Sequence, residues 1–80
     1  MDQQVGERVV IDPDVMVGKP VIRGTRIPVE LIVRMLSQGI LEADILAEYP
    51  ILEPNDIRAA LAYAAQVLAH EDVLPLAVNA

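Results

Sequence analysis

The segment Gly18-Lys-Pro-Val-Ile-Arg-Gly-Thr-Arg-Ile-Pro28 (GKPVIRGTRIP) constrains this chain most, because two prolines and two glycines in eleven positions forbid a helix there. Val21-Ile22 is a candidate strand or extended segment, with Pro20 ahead of it and Gly24 behind. Thr25-Arg26-Ile27 is extended too, since the residue before a proline is pushed out of the helical region. Pro28 then suits the first turn of a helix, where its missing N–H costs nothing. Upstream, Arg8-Val-Val-Ile11 reads as a short strand ended by the turn signal Asp12-Pro13-Asp14. Residues 1–27 are thus expected to form a short β or extended element that delivers the chain into its helices.

Three helices are expected over residues 28–69. The first runs from Pro28 to Gln38, with Glu30 and Arg34 at i,i+4 and Gly39 as a left-handed stop. Leu31, Ile32, Met35 and Leu36 make one apolar stripe on it, and Val29 and Val33 add a second. That arc is wider than one thin core face needs and implies a dimer or partner surface. The second helix spans Glu42 to Glu48, with acidic residues in its first turn, where the helix dipole favours them. Tyr49-Pro50 ends it, and Ile45-Leu46 point inward. The third begins at Glu53-Pro54 and carries Ile57, Leu61, Ala64 and Leu68 at i, i+4, i+7 and i+11 as its core stripe. Six alanines between 59 and 69 let a neighbouring backbone approach it closely. Residues 70–80 form a tail whose Val73-Leu74-Pro75-Leu76 is apolar but broken by proline. The chain reads as one mainly α domain.

An isolated core in eighty residues stabilises by only ~3–5 kcal/mol, so small domains add disulfides, a metal or a partner. With no Cys and one His, His70, this chain has neither disulfides nor a thiolate or histidine cluster for zinc. Self-association or a protein partner remains as the supplement, in keeping with 54% apolar residues. No apolar run approaches the ~18–20 residues that span a bilayer. No charged leader with an apolar segment is present either, so the expectation is a cytoplasmic protein without membrane contact.

The net charge of −6 is unevenly spread. Residues 15–34 place Lys19, Arg23, Arg26 and Arg34 against Glu30 alone, whereas residues 35–80 set Arg58 against seven carboxylates. The basic segment is therefore GKPVIRGTRIP with the start of the first helix. It is no nucleotide loop, because a P-loop needs Gly-x4-Gly-Lys-Ser/Thr and here Lys19 follows the first glycine with Gly18-x5-Gly24 spacing. No Ser/His/Asp set can be built from one His with Ser37 and Thr25 as the only hydroxyl residues of that kind. The carboxylates look like turns, caps and solvated helix faces. The chain is accordingly expected to be no enzyme, with no catalytic residue, metal, cofactor or small-molecule substrate.

Two tyrosines, Tyr49 and Tyr63, are too few for single-strand stacking platforms. Duplex DNA needs a helix for the major groove and cations for phosphates. The second and third helices, joined by a brief Tyr49–Glu53 link, have the proportions of a helix-turn-helix. If the third helix reads DNA, its exposed N-terminal residues are Asn55, Asp56, Arg58 and Ala59; Asn can pair with adenine and Arg with guanine. Equally, Asn55 can be a capping residue and Arg58 an exposed helix cation. Two base-reading side chains per protomer would require a dimer on two half-sites.

The stretches IDPDVMVGKPVIRGTRIPVELIVRMLSQG and EADILAEYPILEPNDIRAALAYAAQVL closely resemble the small family catalogued as domain of unknown function 433. Its hallmark is an Asp-Pro turn, then Gly-Lys-Pro-x-Ile-x-Gly-Thr-Arg-Ile-Pro-Val, then Tyr-Pro and an Ala-rich helix, matched here from about Val9 to Leu68. The resemblance implies a three-helix, homeodomain-like helix-turn-helix preceded by a short β element, acting as a homodimer. It further implies an antitoxin, encoded beside a PIN-like ribonuclease toxin, that binds the double-stranded operator of its own operon and covers the toxin. DNA contacts then fall to Lys19, Arg23, Thr25, Arg26, Asn55 and Arg58, and toxin contacts to His70, Val73, Leu74 and Leu76. Any Mg²⁺ would belong to the toxin. Leu41 and Glu53 depart from the family's usual Ser or Thr helix caps. The alternative is a protein-binding module that uses the helix-turn-helix shape only as scaffold.

Overall fold

Three short antiparallel strands, β1 (Gln3–Gln4), β2 (Val9–Ile11) and β3 (Pro20–Ile22), lie side by side in sequence order in the computed structural model. The structure describes residues 7–70 and the backbone of Gln3–Gln4. Val9 pairs with Ile22, Val10 with Val21 and Ile11 with Pro20. Pro20, which cannot donate a ladder bond, stands at the first position of its strand, where that loss is tolerated. Three helices follow and make the fold mainly α: α1 (Val29–Ser37), α2 (Glu42–Glu48) and α3 (Pro54–Ala69).

Local chemistry sets the connections. The Asp12 carbonyl accepts the Val15 N–H at 2.9 Å, and its carboxylate accepts the Asp14 N–H at 2.9 Å, closing the Asp-Pro turn. At the end of β3 the Thr25 N–H returns to the Ile22 carbonyl at 3.0 Å, and Gly24 supplies the φ of +78° that such a turn requires. The Thr25 hydroxyl donates to the same carbonyl at 2.7 Å and accepts the Ile27 N–H at 3.0 Å. Past α1, the N–H groups of Gly39 and Ile40 reach back to Leu36 and Met35, and Gly39 at φ +84° permits this Schellman ending.

Val9 and Ile22 from the sheet meet Ile27, Val29 and Ile32 around α1, Ile45 of α2, Leu52 of the link, and Ile57 and Ala60 of α3. Ile32, Ile57 and Ala60 are fully buried. Leu31, Val33, Met35 and Leu36 of α1 pack half-buried against this cluster, so the wide apolar arc of α1 is largely spent on the core. The stripe expected on α3 holds only at its start. Ile57 and Ala60 are buried, whereas Leu61 and Leu68 are 42% and 63% exposed. A sixteen-residue helix is ~24 Å long, and only its first turns lie over the core.

Between β2 and β3 the chain makes a left-handed turn at Met16–Gly18, with φ of +51°, +56° and +78°. For β-branched Val17 this backbone is an outlier that costs ~1–2 kcal/mol, and its side chain, 94% exposed, gains nothing in return. Val17→Gly is therefore expected to stabilise the fold by a net ~0.5–1 kcal/mol after glycine's entropic cost. That corresponds to a Tm higher by about 2–8 °C. A lower melting temperature by circular dichroism contradicts the strain argument.

Candidate functional site

The start of α3 is tied to the sheet by a carboxylate that the sequence suggested was exposed. Asp56 is 6% exposed. One of its oxygens accepts the Glu53 backbone N–H at 2.8 Å, the capping pattern of residue N3 reaching back to the N-cap. The other accepts the Arg8 guanidinium at 2.9 Å, and the same nitrogen of Arg8 lies 3.2 Å from the Glu53 carboxylate. These hydrogen bonds, to Asp56 first and Glu53 second, push the Arg8 pKa upward. Asp56 is thus unavailable to a base edge, and Ala59 is half-buried. The pattern Glu53-Pro-Asn-Asp56, a cap candidate with an acid three residues on, was the signal in the sequence that could have marked it.

Arg8 also orients the Gly24 turn, because its carbonyl accepts the Arg23 N–H at 2.7 Å. The turn consequently sits against the α2–α3 link. Glu7, Arg8, Arg23, Thr25, Ile51 and Glu53 line a shared hollow of about 360 Å³. Arg26 and Ile51 border the adjoining hollow on one side, and Asn55 and Arg58 border another beside Glu7 and Arg8. Arg23, Arg26, Asn55 and Arg58 are all exposed, so the structure gathers four of the six expected DNA-contacting residues around one end of the molecule. Among the described residues, Arg23, Arg26 and Arg58 have no carboxylate within salt-bridge distance. Arg58 makes only a long 3.5 Å bond to the Asn55 side-chain oxygen. Ile51, 61% exposed in the link beside these cations, is a candidate contact that the sequence reading passed over.

Of the other two expected residues, Thr25 also lines the first hollow, and both have contacts of their own. The Lys19 ammonium stands 3.6 Å from Glu30, which also pairs with Arg34, so Lys19 faces α1. Thr25 spends its hydroxyl inside its own turn. Of the expected toxin contacts, His70 is exposed at the C-terminal cap of α3. Val73, Leu74 and Leu76 lie outside the described residues.

A second surface is apolar. Val29 and Val33 of α1, Tyr63, Ala64, Val67 and Leu68 of α3, and Pro20 line a groove of about 400 Å³, with Glu30 and Arg34 at its edge. Among the described residues, no helix is long and apolar enough to cross a membrane.

Several known proteins are similar to this chain. A curated protein of Archaeoglobus fulgidus, described as uncharacterized, is 69% identical over 29 residues, covering 36% of this chain and 81% of its own length. The uncharacterized protein y4eO of Sinorhizobium fredii is 38% identical over 58 residues; the match takes in 72% of this chain but only 26% of that longer protein. The crystal structure of a DUF433 member protein from Anabaena variabilis superposes with a TM-score of 0.73 at 39% identity, over 78% of this chain and 61% of the other. The family model described as "Protein of unknown function (DUF433)" matches residues 9–64, from β2 through the turn at Gly24 and into α3, and by that match the chain belongs to the DUF433 family.

Proposed function

We propose that this chain is a non-catalytic binding protein of the antitoxin type. In this reading α2 and α3 act as a helix-turn-helix on the double-stranded operator of its own operon, two protomers serving two half-sites, and other surfaces hold a PIN-like ribonuclease. The observation that carries the DNA half is the placement of the Arg23 turn beside the α2–α3 link. It brings Arg23 and Arg26 to the same end as Asn55 and Arg58, at the exposed start of the candidate reading helix. Phosphate contacts from the turn would fix register, while Asn55 and Arg58 meet base edges.

A second reading, a protein-binding module that does not touch DNA, draws support from the acidic groups in that hollow. Glu53 and Asp56 engage Arg8, and Glu7 lies next to them. The net positive charge of this end is accordingly modest, and the apolar groove of α1 and α3 offers itself to protein instead.

Fluorescence anisotropy with the duplex upstream of the gene, against a random duplex of equal length at near-physiological salt, separates the two. Specific operator binding is expected to exceed random binding by at least ~10³-fold. Equal affinities with and without the partner toxin defeat the repressor half. In the same assay Arg23→Ala and Arg26→Ala should each weaken binding and reduce the slope of log K against log salt by ~0.9. Both side chains are exposed and, among the described residues, unpaired, so their loss should change stability by less than ~0.5 kcal/mol. Unchanged affinity with a lowered melting temperature would make them structural. Co-purification of a small ribonuclease with the tagged protein tests the toxin half.

A further inference from the structure

Glu7, Arg8, Arg23 and Thr25 line one side of the hollow of about 360 Å³, and Ile51, Glu53 and Asp56 line the other. The core joins the sheet to α3 through Val9, Ile22 and Ile57, but across this hollow the two sides meet through Arg8. Its guanidinium reaches Asp56 at 2.9 Å and Glu53 at 3.2 Å, forty-eight and forty-five positions away. Its own carbonyl accepts the Arg23 N–H at 2.7 Å, one step past the last ladder pair, Val9 with Ile22. The turn beyond that bond is closed on itself, because the Thr25 N–H and hydroxyl both return to the Ile22 carbonyl. A displacement of Arg23 therefore carries Arg26 with it. Among the described residues, no other salt bridge or side-chain hydrogen bond joins the two sides.

We propose that Arg8 is a positioning residue, which fixes the separation between the Arg23–Arg26 turn and the start of α3. This deepens the DNA reading and rests on it. In that reading the turn supplies phosphate contacts, and Asn55 and Arg58, on either side of the Asp56 anchor in the sequence, supply base contacts. Both kinds of contact form together only when the turn and the helix hold one register. Non-specific binding has no such requirement, because phosphates repeat along any duplex. Arg8 itself stays on its carboxylates, one nitrogen serving both Glu53 and Asp56. Its part is to set where the other four side chains stand. A phosphate contact or a bare charge effect changes binding to every duplex alike, whereas a register effect changes binding to the operator alone.

The test pairs two substitutions that break the same tie with opposite changes of charge. Arg8→Met removes a cation. Asp56→Asn removes an anion, keeps an oxygen for the Glu53 N–H and turns an amide NH2 toward Arg8. The full chain is titrated with the operator and random duplexes by anisotropy, well below each variant's melting temperature as checked by circular dichroism. Both variants are expected to lower the operator-to-random affinity ratio about tenfold, the scale of one base contact out of register. Affinity for the random duplex should shift by about threefold or less, downward for Arg8→Met and upward for Asp56→Asn. Arg8→Lys, whose single ammonium can serve both carboxylates, should keep the ratio within about threefold of wild type. A ratio that moves in opposite directions in the two variants, or in neither, overturns the proposal. Exchange of the Arg23 amide hydrogen gives a measure without DNA and is expected to be about tenfold faster in both variants. An unchanged rate also overturns the proposal, since the turn would then stand without the tie. A wild-type chain with no preference for the operator defeats the DNA reading and the proposal with it, whereas a preference that both variants keep defeats the proposal alone.

Discussion

Asp56→Ala is expected to lower the melting temperature by about 10–20 °C. The carboxylate stands at 6% exposure and serves two partners, the Glu53 N–H at 2.8 Å and the Arg8 guanidinium at 2.9 Å. Removing the cap alone costs ~1 kcal/mol. Breaking a buried ion pair costs ~3–5 kcal/mol where the surviving charge is stranded. Here Arg8 is about one-third exposed and keeps Glu53, so it can rehydrate, and the combined cost falls to ~2–3 kcal/mol. At ~4–8 °C per kcal/mol for a domain of this size, the shift in Tm follows.

The two roles of Asp56 can be separated. Asp56→Asn keeps an oxygen for the Glu53 N–H and removes the charge, so it should fall between wild type and alanine. In an Arg8→Ala background, Asp56→Ala should cost less than it does alone, and a double-mutant cycle measures the difference. Because the Arg8 pKa is raised, its stabilisation is fully present below the ordinary arginine value and is lost only as pH rises through the raised one. Arg8 therefore adds no pH dependence between pH 5 and 9. An Asp56→Ala protein that melts within about 2 °C of wild type would show that the tie between sheet and α3 is incidental.

Proline and glycine made most of the element boundaries legible in the sequence. Pro28 immediately precedes α1, Pro54 opens α3, Gly39 ends α1 and Gly24 ends β3, each for a backbone reason that operates within a few residues. Asp56 was expected to be exposed and is buried, and Lys19 meets a carboxylate on another element, because neither partner is local. Asp56 is buried by Arg8, forty-eight positions away, and Lys19 finds Glu30 only once β3 runs beside α1. The α3 stripe failed for another reason. Periodicity gives the spacing of a face but neither its centre nor its length: the covered face runs through Ile57, Ala60, Tyr63 and Ala64, which leaves Leu61 at its margin and Leu68 past its end. Asn55 and Arg58 were expected at the exposed start of α3 and are exposed there, and Arg23 and Arg26 are exposed as well. Their convergence on one end could not be read, because it depends on the Arg23 N–H bond to the Arg8 carbonyl.

Ile57→Ala is the substitution expected to take most of the population out of the folded state. Ile57 is fully buried and joins Ile32, Ile45 and the sheet residues Val9 and Ile22 in one cluster. Truncating such a side chain loses the transfer energy of three carbons and leaves a cavity, together ~3–4 kcal/mol. A single core of this size supplies ~3–5 kcal/mol in all, so the variant should be largely unfolded at 25 °C and micromolar concentration. Ile57→Val, at ~0.5–1.5 kcal/mol, should stay folded with a Tm lower by several degrees. An Ile57→Ala protein that melts near wild type would mean that α3 is not held by that core at all.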